Sequence, residues 1–119
     1  MISSEKTALR RGYLYLAHLD KLRPVLVISN DARNELASDV MVVPCTTRLS
    51  IAPTHVHIKR GEGGIPHSTV LKCEQLTTLH RDTIRRNALG ASLSAKRLCQ
   101  VERAILRAIG VPVPLDPEL

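Results

Sequence analysis

The sequence predicts a small domain of the all-β or α+β class, in which short antiparallel strands form a barrel and one α-helix follows at the C-terminal end. Two observations support this. Runs rich in β-branched and aliphatic residues alternate with turn residues over most of the chain, and only the last segment has a clear helical period. Because 119 residues fit one domain, we expect a single unit over 1–119, with a flexible N-terminus at 1–10 and the helix at 94–109.

The first two strands are expected to form a hairpin. In GYLYLAHL, tyrosines alternate with leucines, which is typical of a half-buried strand. The run PVLVIS, residues 24–29, is apolar without alternation and predicts a strand buried on both faces. Residues 20–22 leave room only for a tight turn, and Pro24, which has no N–H, belongs at the beginning of the second strand.

The middle of the chain predicts short elements separated by turns. The polar segment NDARNELASD allows one short helical turn, with Asn30 or Asp31 as its N-cap. VMVVPC is dense in β-branched residues and predicts a third strand, interrupted at Pro44 by a bulge or an edge. HVHIK predicts a fourth strand, GEGGIP a turn, STVLKCEQLTTL further β-structure and RDTIRR another short turn.

The C-terminal helix has the clearest pattern. Apolar residues recur at helical spacing, at Leu98, Val101, Ile105 and Ala108. Ser92 or Ser94 is suited to cap the start, while Gly110 and Pro112 end the helix.

Composition and charge favour a cytoplasmic protein with an anionic partner. The formal charge of +6 and the pI of about 9.7 favour nucleic acid. Tyr13 and Tyr15 are the only aromatic residues, so the usual platforms for base stacking are scarce. The sequence has neither a run of about 18 apolar residues nor the apolar stretch of a secretory signal, and we expect no membrane contact.

Cysteine and histidine patterns give little support to a metal or nucleophile site. Cys45, Cys73 and Cys99 are widely spaced, without a C-x-x-C pair, and we expect three buried free thiols. His55 and His57 either share a metal or simply occupy a partly exposed strand face, and we favour the second interpretation. A Cys/His nucleophile pair stays open, although no motif positions one, and no cofactor is expected.

Arg23 is a candidate for phosphate chemistry. It lies between a tight turn and a rigid strand, and a guanidinium group grips phosphate through two parallel hydrogen bonds. Such a fixed charge stabilises a phosphoryl-transfer transition state without a metal. On local pattern alone, a surface salt bridge to Asp20 or Asp31 is the simpler explanation. Thr46 and Thr47, at the end of the third strand, offer hydroxyls to a phosphate or a 2′-OH, although threonine is ordinary at such a position.

Five segments follow one another along the chain: RRGYLYLAHLDKLRPVLVISNDARN, DVMVVPCTT, PTHVHI, STVLKCEQLTTL and VERAILRAIGV. In this order they resemble the MazF/PemK family of toxin ribonucleases, from about Arg11 to Val111. The RPVLVISN core is specific, and the ordered set is more so. The resemblance implies a small SH3-like antiparallel β-barrel of the MazF/PemK/CcdB type, with a C-terminal helix, that works as a homodimer.

The resemblance also implies an activity and partners. Such proteins are metal-independent endoribonucleases that cut single-stranded RNA at short sequences. The RNA's own 2′-OH attacks the adjacent phosphate and leaves a 2′,3′-cyclic phosphate and a 5′-hydroxyl. They are toxins of type II toxin–antitoxin systems, and the implied partners are single-stranded RNA, a cognate antitoxin protein, a second copy of the chain and operator DNA bound through the antitoxin complex. An acidic and hydrophobic antitoxin segment is expected near Arg23.

By this resemblance, Arg23 is the catalytic arginine and Thr46 the catalytic threonine. Candidate substrate contacts are Ser29, Asn30, Thr47, Arg48 and Gln75. Two features depart from the family. LDKL replaces a longer loop before Arg23, and the frequent Q-I-R-T pattern becomes Gln75-Leu76-Thr77-Thr78, without its arginine. The candidates to replace that arginine are Arg48, Arg81, Arg85 and Arg86.

Two alternatives use the same fold. A non-catalytic toxin that binds a protein, in the manner of a gyrase poison, predicts indifference to RNA. An inactive regulatory relative predicts binding of antitoxin and operator DNA without cleavage. The R-P segment and Thr46 favour the ribonuclease, and the short loop before Arg23 is the only support for the inactive relative.

Overall fold

The computed structural model describes residues 9–115, and this part contains six strands and two helices. Of the predicted flexible N-terminus, residues 1–8 lie outside the described part. The strands are β1 Leu14–His18, β2 Leu22–Val27, β3 Asp39–Thr46, β4 His55–Ile58, β5 Thr69–Lys72 and β6 Thr77–His80. The helices are α1 Asp31–Leu36 and α2 Ala95–Ala108, and short 3₁₀ turns occupy Glu62–Gly64, Cys73–Gln75 and Arg81–Thr83. Antiparallel strands followed by a C-terminal helix confirm this part of the predicted fold class.

β3 is the centre of an antiparallel sheet with the order β1-β2-β3-β5-β4, and β6 also pairs with β3. On the side away from β2, the first half of β3, up to Val42, pairs with β6, and its last two residues, Cys45 and Thr46, pair with β5. Pro44 lies between these two partners. The strand predicted to be interrupted at Pro44 is therefore continuous, and the proline occupies the interval in which β3 changes its partner.

Strand pairing among the described residues does not close this sheet. Its order ends in β1 and β4, which do not pair with each other within residues 9–115. One isolated bridge joins Ala17 of β1 to Ile84, which lies just beyond β6. The observed architecture is an antiparallel sheet with a C-terminal helix. The closed barrel expected from the sequence is not seen in the strand pairing of residues 9–115.

Two hydrophobic cores lie on the two faces of the sheet. The first core contains Leu14, Leu26, Ile28, Val43, Cys45, Val56, Ile58, Ile65, Leu71, Cys73, Leu93, Val101 and Ala104. The second core contains Leu9, Tyr15, Ala17, Val25, Val27, Val40, Val42 and Ile84. Successive residues of β2 alternate between the two cores. Because both faces are covered, the unbroken apolar run of β2 is explained, and the prediction of a strand buried on both faces is confirmed.

α2 packs on the first core and begins at a predicted cap. The Ser94 hydroxyl accepts a hydrogen bond from the Arg97 N–H at 3.1 Å, and the chain turns away at Gly110, whose φ is +96°. Val101 and Ala104 are buried, whereas Ala108, expected on the apolar face, is exposed. Neither described helix has the length and apolar character needed to cross a bilayer.

The expectation of three buried thiols is wrong for Cys99, which is exposed on α2. Cys99 lies two residues before buried Val101, and this offset turns a side chain by about 200° around a helix, away from the core. Cys45 and Cys73 are buried, as predicted. Burial raises the pKa of both thiols, that of Cys73 to about 12.

Two contacts hold the turn 61–65 in place, one with the segment before α2 and one with the first turn of α2. Gly64 packs so closely on the Leu89–Gly90 backbone that a Cβ there would lie 2.2 Å from the Leu89 carbonyl oxygen. The Glu62 carboxylate accepts hydrogen bonds from Arg97 Nε at 2.9 Å and Arg97 Nη2 at 3.1 Å. These hydrogen bonds lower the pKa of Glu62.

Candidate active site

The antiparallel pairing of β2 and β3 brings Arg23 and Thr46 to the same end of the sheet. The paired residues are Val27 with Val42, Leu26 with Val43, and Val25 with Pro44. Arg23 precedes Val25 by two residues and lies on the same face of β2, while Thr46 follows Pro44 by two residues. Two side chains that are distant in sequence thus become neighbours.

Arg23 and Thr46 line one surface cavity of about 120 Å³. The lining residues are Lys21, Leu22, Arg23, Pro24, Cys45, Thr46, Thr47 and Thr69. Two cationic and three hydroxyl-bearing side chains therefore surround this space, and its lining contains no carboxylate. Guanidinium, ammonium and hydroxyl groups all donate hydrogen bonds to phosphate, so the cavity suits that anion.

Lys21 and Thr69 are members of this cavity that the sequence did not indicate. Thr69 belongs to β5, and the pairing of Thr46 with Val70 brings it beside the end of β3. A pairing between strands so far apart in the chain leaves no local signal. Lys21 lies in the β1–β2 turn, two residues from Arg23. This closeness in sequence could have indicated that Lys21 lines the same cavity.

Arg23 also makes the salt bridge to Asp20 that local pattern favoured. The Asp20 carboxylate accepts hydrogen bonds from Arg23 Nε at 2.7 Å and from Nη2 at 2.9 Å. The hydrogen bonds from Arg23 hold the pKa of Asp20 well below its usual range. The Arg23 side chain nevertheless remains 38% exposed. Asp31, the other candidate partner, instead accepts the Arg11 N–H at 2.7 Å.

The Thr46 hydroxyl is oriented by the backbone that follows it. Its oxygen accepts a hydrogen bond from the Arg48 N–H at 3.1 Å. The hydroxyl hydrogen remains as a donor, since accepting this bond uses only a lone pair. Thr47 also lines the cavity, whereas Arg48 and Gln75 are exposed outside its lining.

The structure does not bring Ser29 and Asn30 to this cavity. Both follow the far end of β2, where they serve the fold. The buried Ser29 hydroxyl donates to Asn34 Oδ1 and accepts the Met41 N–H at 3.0 Å. The Asn30 side chain caps α1, as predicted, by accepting the Ala32 N–H at 2.8 Å.

His55 and His57 occupy a polar strand face beside a second cavity of about 310 Å³ near α2, which the sequence did not indicate. His55 Nε2 lies 3.1 Å from Glu74 Oε2, and His57 Nε2 lies 2.6 Å from the Ser50 carbonyl oxygen. Within residues 9–115, no group of three or more His, Cys, Asp or Glu side chains is placed to hold a metal ion. The geometry therefore fits the interpretation as a strand face.

Comparison with known proteins identifies the family of this chain. The family model for the PemK-like, MazF-like toxin of type II toxin–antitoxin systems matches residues 10–109. Endoribonuclease MazF of Staphylococcus saprophyticus is 32% identical over 113 residues, which cover 87% of this chain and 92% of that protein.

Solved structures share the fold. A mycobacterial endoribonuclease in complex with its cognate antitoxin has a TM-score of 0.76 and 28% identity, covering 87% of this chain and 97% of that chain. The Mycobacterium tuberculosis toxin MazF-mt6 has a TM-score of 0.77 and 25% identity, covering 85% and 99%. The resemblance stated from the sequence is thereby confirmed. The chain belongs to the PemK-like, MazF-like family of toxins of type II toxin–antitoxin systems.

Proposed function

We propose that this chain is the toxin of a toxin–antitoxin pair and an endoribonuclease that cleaves single-stranded RNA with Arg23 and Thr46. The observation that carries the proposal is that these two residues line one cavity rich in hydrogen-bond donors. Similar proteins that bear the name endoribonuclease support it.

In the proposed reaction, the 2′-OH of the RNA attacks the adjacent phosphorus. The P–O2′ bond forms as the 2′-OH loses its proton, and the P–O5′ bond breaks as the 5′ oxygen takes up a proton. The products are a 2′,3′-cyclic phosphate and a 5′-hydroxyl. Charge on the non-bridging oxygens is stabilised by Arg23, and the Thr46 hydroxyl donates a hydrogen bond to the phosphate.

Asp20 determines which edge of the Arg23 guanidinium group faces the RNA. Its carboxylate uses Nε and one hydrogen of Nη2. The outer edge, formed by Nη1 and the second hydrogen of Nη2, stays available as another fork for two oxygens of one phosphate. Asp20 therefore acts as a positioning residue in this proposal.

Asp20→Asn should lower kcat about tenfold and leave the affinity for RNA unchanged or slightly higher. An amide accepts through one oxygen only and lacks the charge, so the guanidinium group loses its fixed orientation, and misplacement of a catalytic group is costly. The measurements are kcat on a short RNA that contains a mapped cleavage site and Kd for the same RNA with a 2′-deoxy scissile nucleotide. Glu35→Gln, which removes an exposed carboxylate on α1, is the matched control. A normal kcat for Asp20→Asn would rule out the positioning role.

Incubation of the purified protein with long RNA in EDTA tests the proposed function. We expect cleavage at discrete sites, mapped by primer extension, with 5′-hydroxyl ends that a polynucleotide kinase labels without prior dephosphorylation. RNA that stays intact, in a protein that is folded and binds a protein target, would establish the non-catalytic alternative instead.

Thr47, Arg48 and Gln75 are the proposed contacts with nucleotides that flank the scissile bond. All three are exposed, and Thr47 lines the cavity. Ser29 and Asn30 are left out of the proposed RNA site, since their side chains bond within the fold at the far end of β2.

We further propose that the chain acts as a homodimer and is blocked by a cognate antitoxin protein. A mycobacterial structure with this fold contains its cognate antitoxin. The formal charge of +6 suits an acidic segment of such a partner.

The whole chain, 1–119, is proposed to form one cytoplasmic domain whose sheet is an SH3-like barrel. The bridge between Ala17 and Ile84 supports the barrel, because it returns the chain beyond β6 to the outer edge of β1.

A further inference from the structure

The segment that follows β6 is fixed along the free edge of β1. Ile84 bridges Ala17 and is buried in the second core. The Arg85 N–H donates to the Leu16 carbonyl at 2.8 Å, and the Leu89 N–H donates to the Leu14 carbonyl at 2.8 Å. Residues 85–88 are therefore held at both ends by backbone hydrogen bonds.

This segment lies close to Arg23. Ala17 pairs with Arg23 on one side and with Ile84 on the other. Adjacent strands are about 4.8 Å apart, so the backbones at Arg23 and Ile84 are about 10 Å apart across β1. An extended RNA strand that enters the Arg23 cavity reaches this segment within a few nucleotides.

The same segment carries a concentrated positive charge. A surface cavity of about 630 Å³ is lined by Arg81, Asp82, Ile84, Arg85, Arg86 and Asn87. Arg81 Nη1 donates to the Asn34 and Ala37 carbonyls, both at 2.7 Å, and so holds the cavity in place. Arg85 and Arg86 are exposed, and Arg85 makes no ion pair with any residue of the part 9–115.

The lining contains three arginines and one carboxylate, that of Asp82, so its formal charge is positive. Asp82 Oδ2 lies 3.6 Å from His80 Nδ1. The lining also contains no aromatic ring on which a base could stack. Its chemistry fits the phosphate groups of a polynucleotide backbone, which guanidinium groups bind without reading sequence.

We propose that Arg85 and Arg86, with Asn87, form a phosphate-binding surface, the 85–87 surface, for RNA on one side of the scissile bond. The inference rests on the proposed function and extends it, because it assigns a path for the substrate beyond the Arg23 cavity.

The test is the double variant Arg85→Gln/Arg86→Gln with an RNA oligonucleotide that carries a mapped cleavage site. We expect a higher KM with unchanged kcat. The 2′-deoxy form of the oligonucleotide binds but lacks the attacking hydroxyl. With this RNA, the slope of the logarithm of the association constant against the logarithm of the salt concentration should become less steep by about 1.4. The affinity gap between wild type and variant should accordingly narrow about sevenfold between about 50 and about 200 mM KCl.

Lys96→Gln is the matched control. It removes one exposed cation from α2, which covers the first core on the opposite side of the sheet from Ile84. This variant should keep the wild-type KM and salt slope. A wild-type KM and a wild-type salt slope in the Arg85/Arg86 variant would overturn the 85–87 surface and leave the nuclease activity established. A variant that loses only antitoxin binding would overturn the surface in the same way. A wild-type protein that does not cut RNA would instead refute the proposed function.

Discussion

Arg23→Ala should lower kcat on RNA by about 10²–10³-fold, with an unchanged unfolding curve. Removal of one preorganised donor to a developing oxyanion typically has an effect of this size. The fold should not suffer, because the Arg23 side chain is 38% exposed and its partner is a surface carboxylate that is 68% exposed. The measurement is single-turnover cleavage of an oligonucleotide with a mapped site, alongside urea unfolding.

Arg23→Lys separates charge from geometry in the same assay. Lysine keeps the positive charge but presents no planar fork, so we expect it to restore only a small part of the lost rate. Lys96→Ala, on α2, should cut as fast as wild type. Cleavage by Arg23→Ala at the wild-type rate would contradict the assigned role, whatever the stability of the variant.

Gly64→Ala should be strongly destabilising, with a loss of at least about 4 kcal/mol or a failure to accumulate as folded protein. The added Cβ would meet the Leu89 carbonyl oxygen at 2.2 Å and its carbon at 2.4 Å. These are backbone atoms, which cannot rotate aside. The φ of +87° adds strain for any residue with a side chain. The free energy of unfolding in urea measures the loss.

Gly61→Ala is the matched comparison, because Gly61 also has a positive φ, +96°, but no atom lies within 4 Å of its added Cβ. It should lose only the cost of the left-handed conformation, about 1–2 kcal/mol. The difference between the two variants therefore isolates the clash at Leu89. Equal losses would show that the contact between the turn 61–65 and the segment before α2 contributes nothing to stability.

Elements with a strong local pattern could be predicted from the sequence. The apolar run of β2, the Ser94 cap and the helical spacing before Gly110 each reflect physics within a few residues. The partners of β3 could not be predicted, because β5 and β6 share one side of it through contacts distant in sequence. The prediction of a buried Cys99 fails because residues two apart on a helix point in nearly opposite directions, and Val101 occupies the buried side.

The candidate site was predictable in part. Arg23 and Thr46 were identified through the family resemblance, whereas their meeting in one cavity depends on a strand pairing that no local pattern encodes. Thr69 reaches the cavity only through strand pairing. Arg23 lies at the start of β2, whereas Ser29 and Asn30 follow its end. Their closeness in the sequence motif therefore does not place them in the same site.

The register of β2 and β3 has an evolutionary consequence. The ladder between β2 and β3 ends at Val25 and Pro44, next to the buried valines of the second core, and Arg23 and Thr46 each lie two residues from that last pair. Turns that contain neither Asp20 nor Arg48, the partners of Arg23 and Thr46, can lengthen, shorten or change composition without displacing these two residues. The RNA sequence that such a toxin recognises can therefore diverge while the residues for cleavage stay in place. Exchange of turns between homologous toxins becomes a practical route to ribonucleases with chosen target sequences.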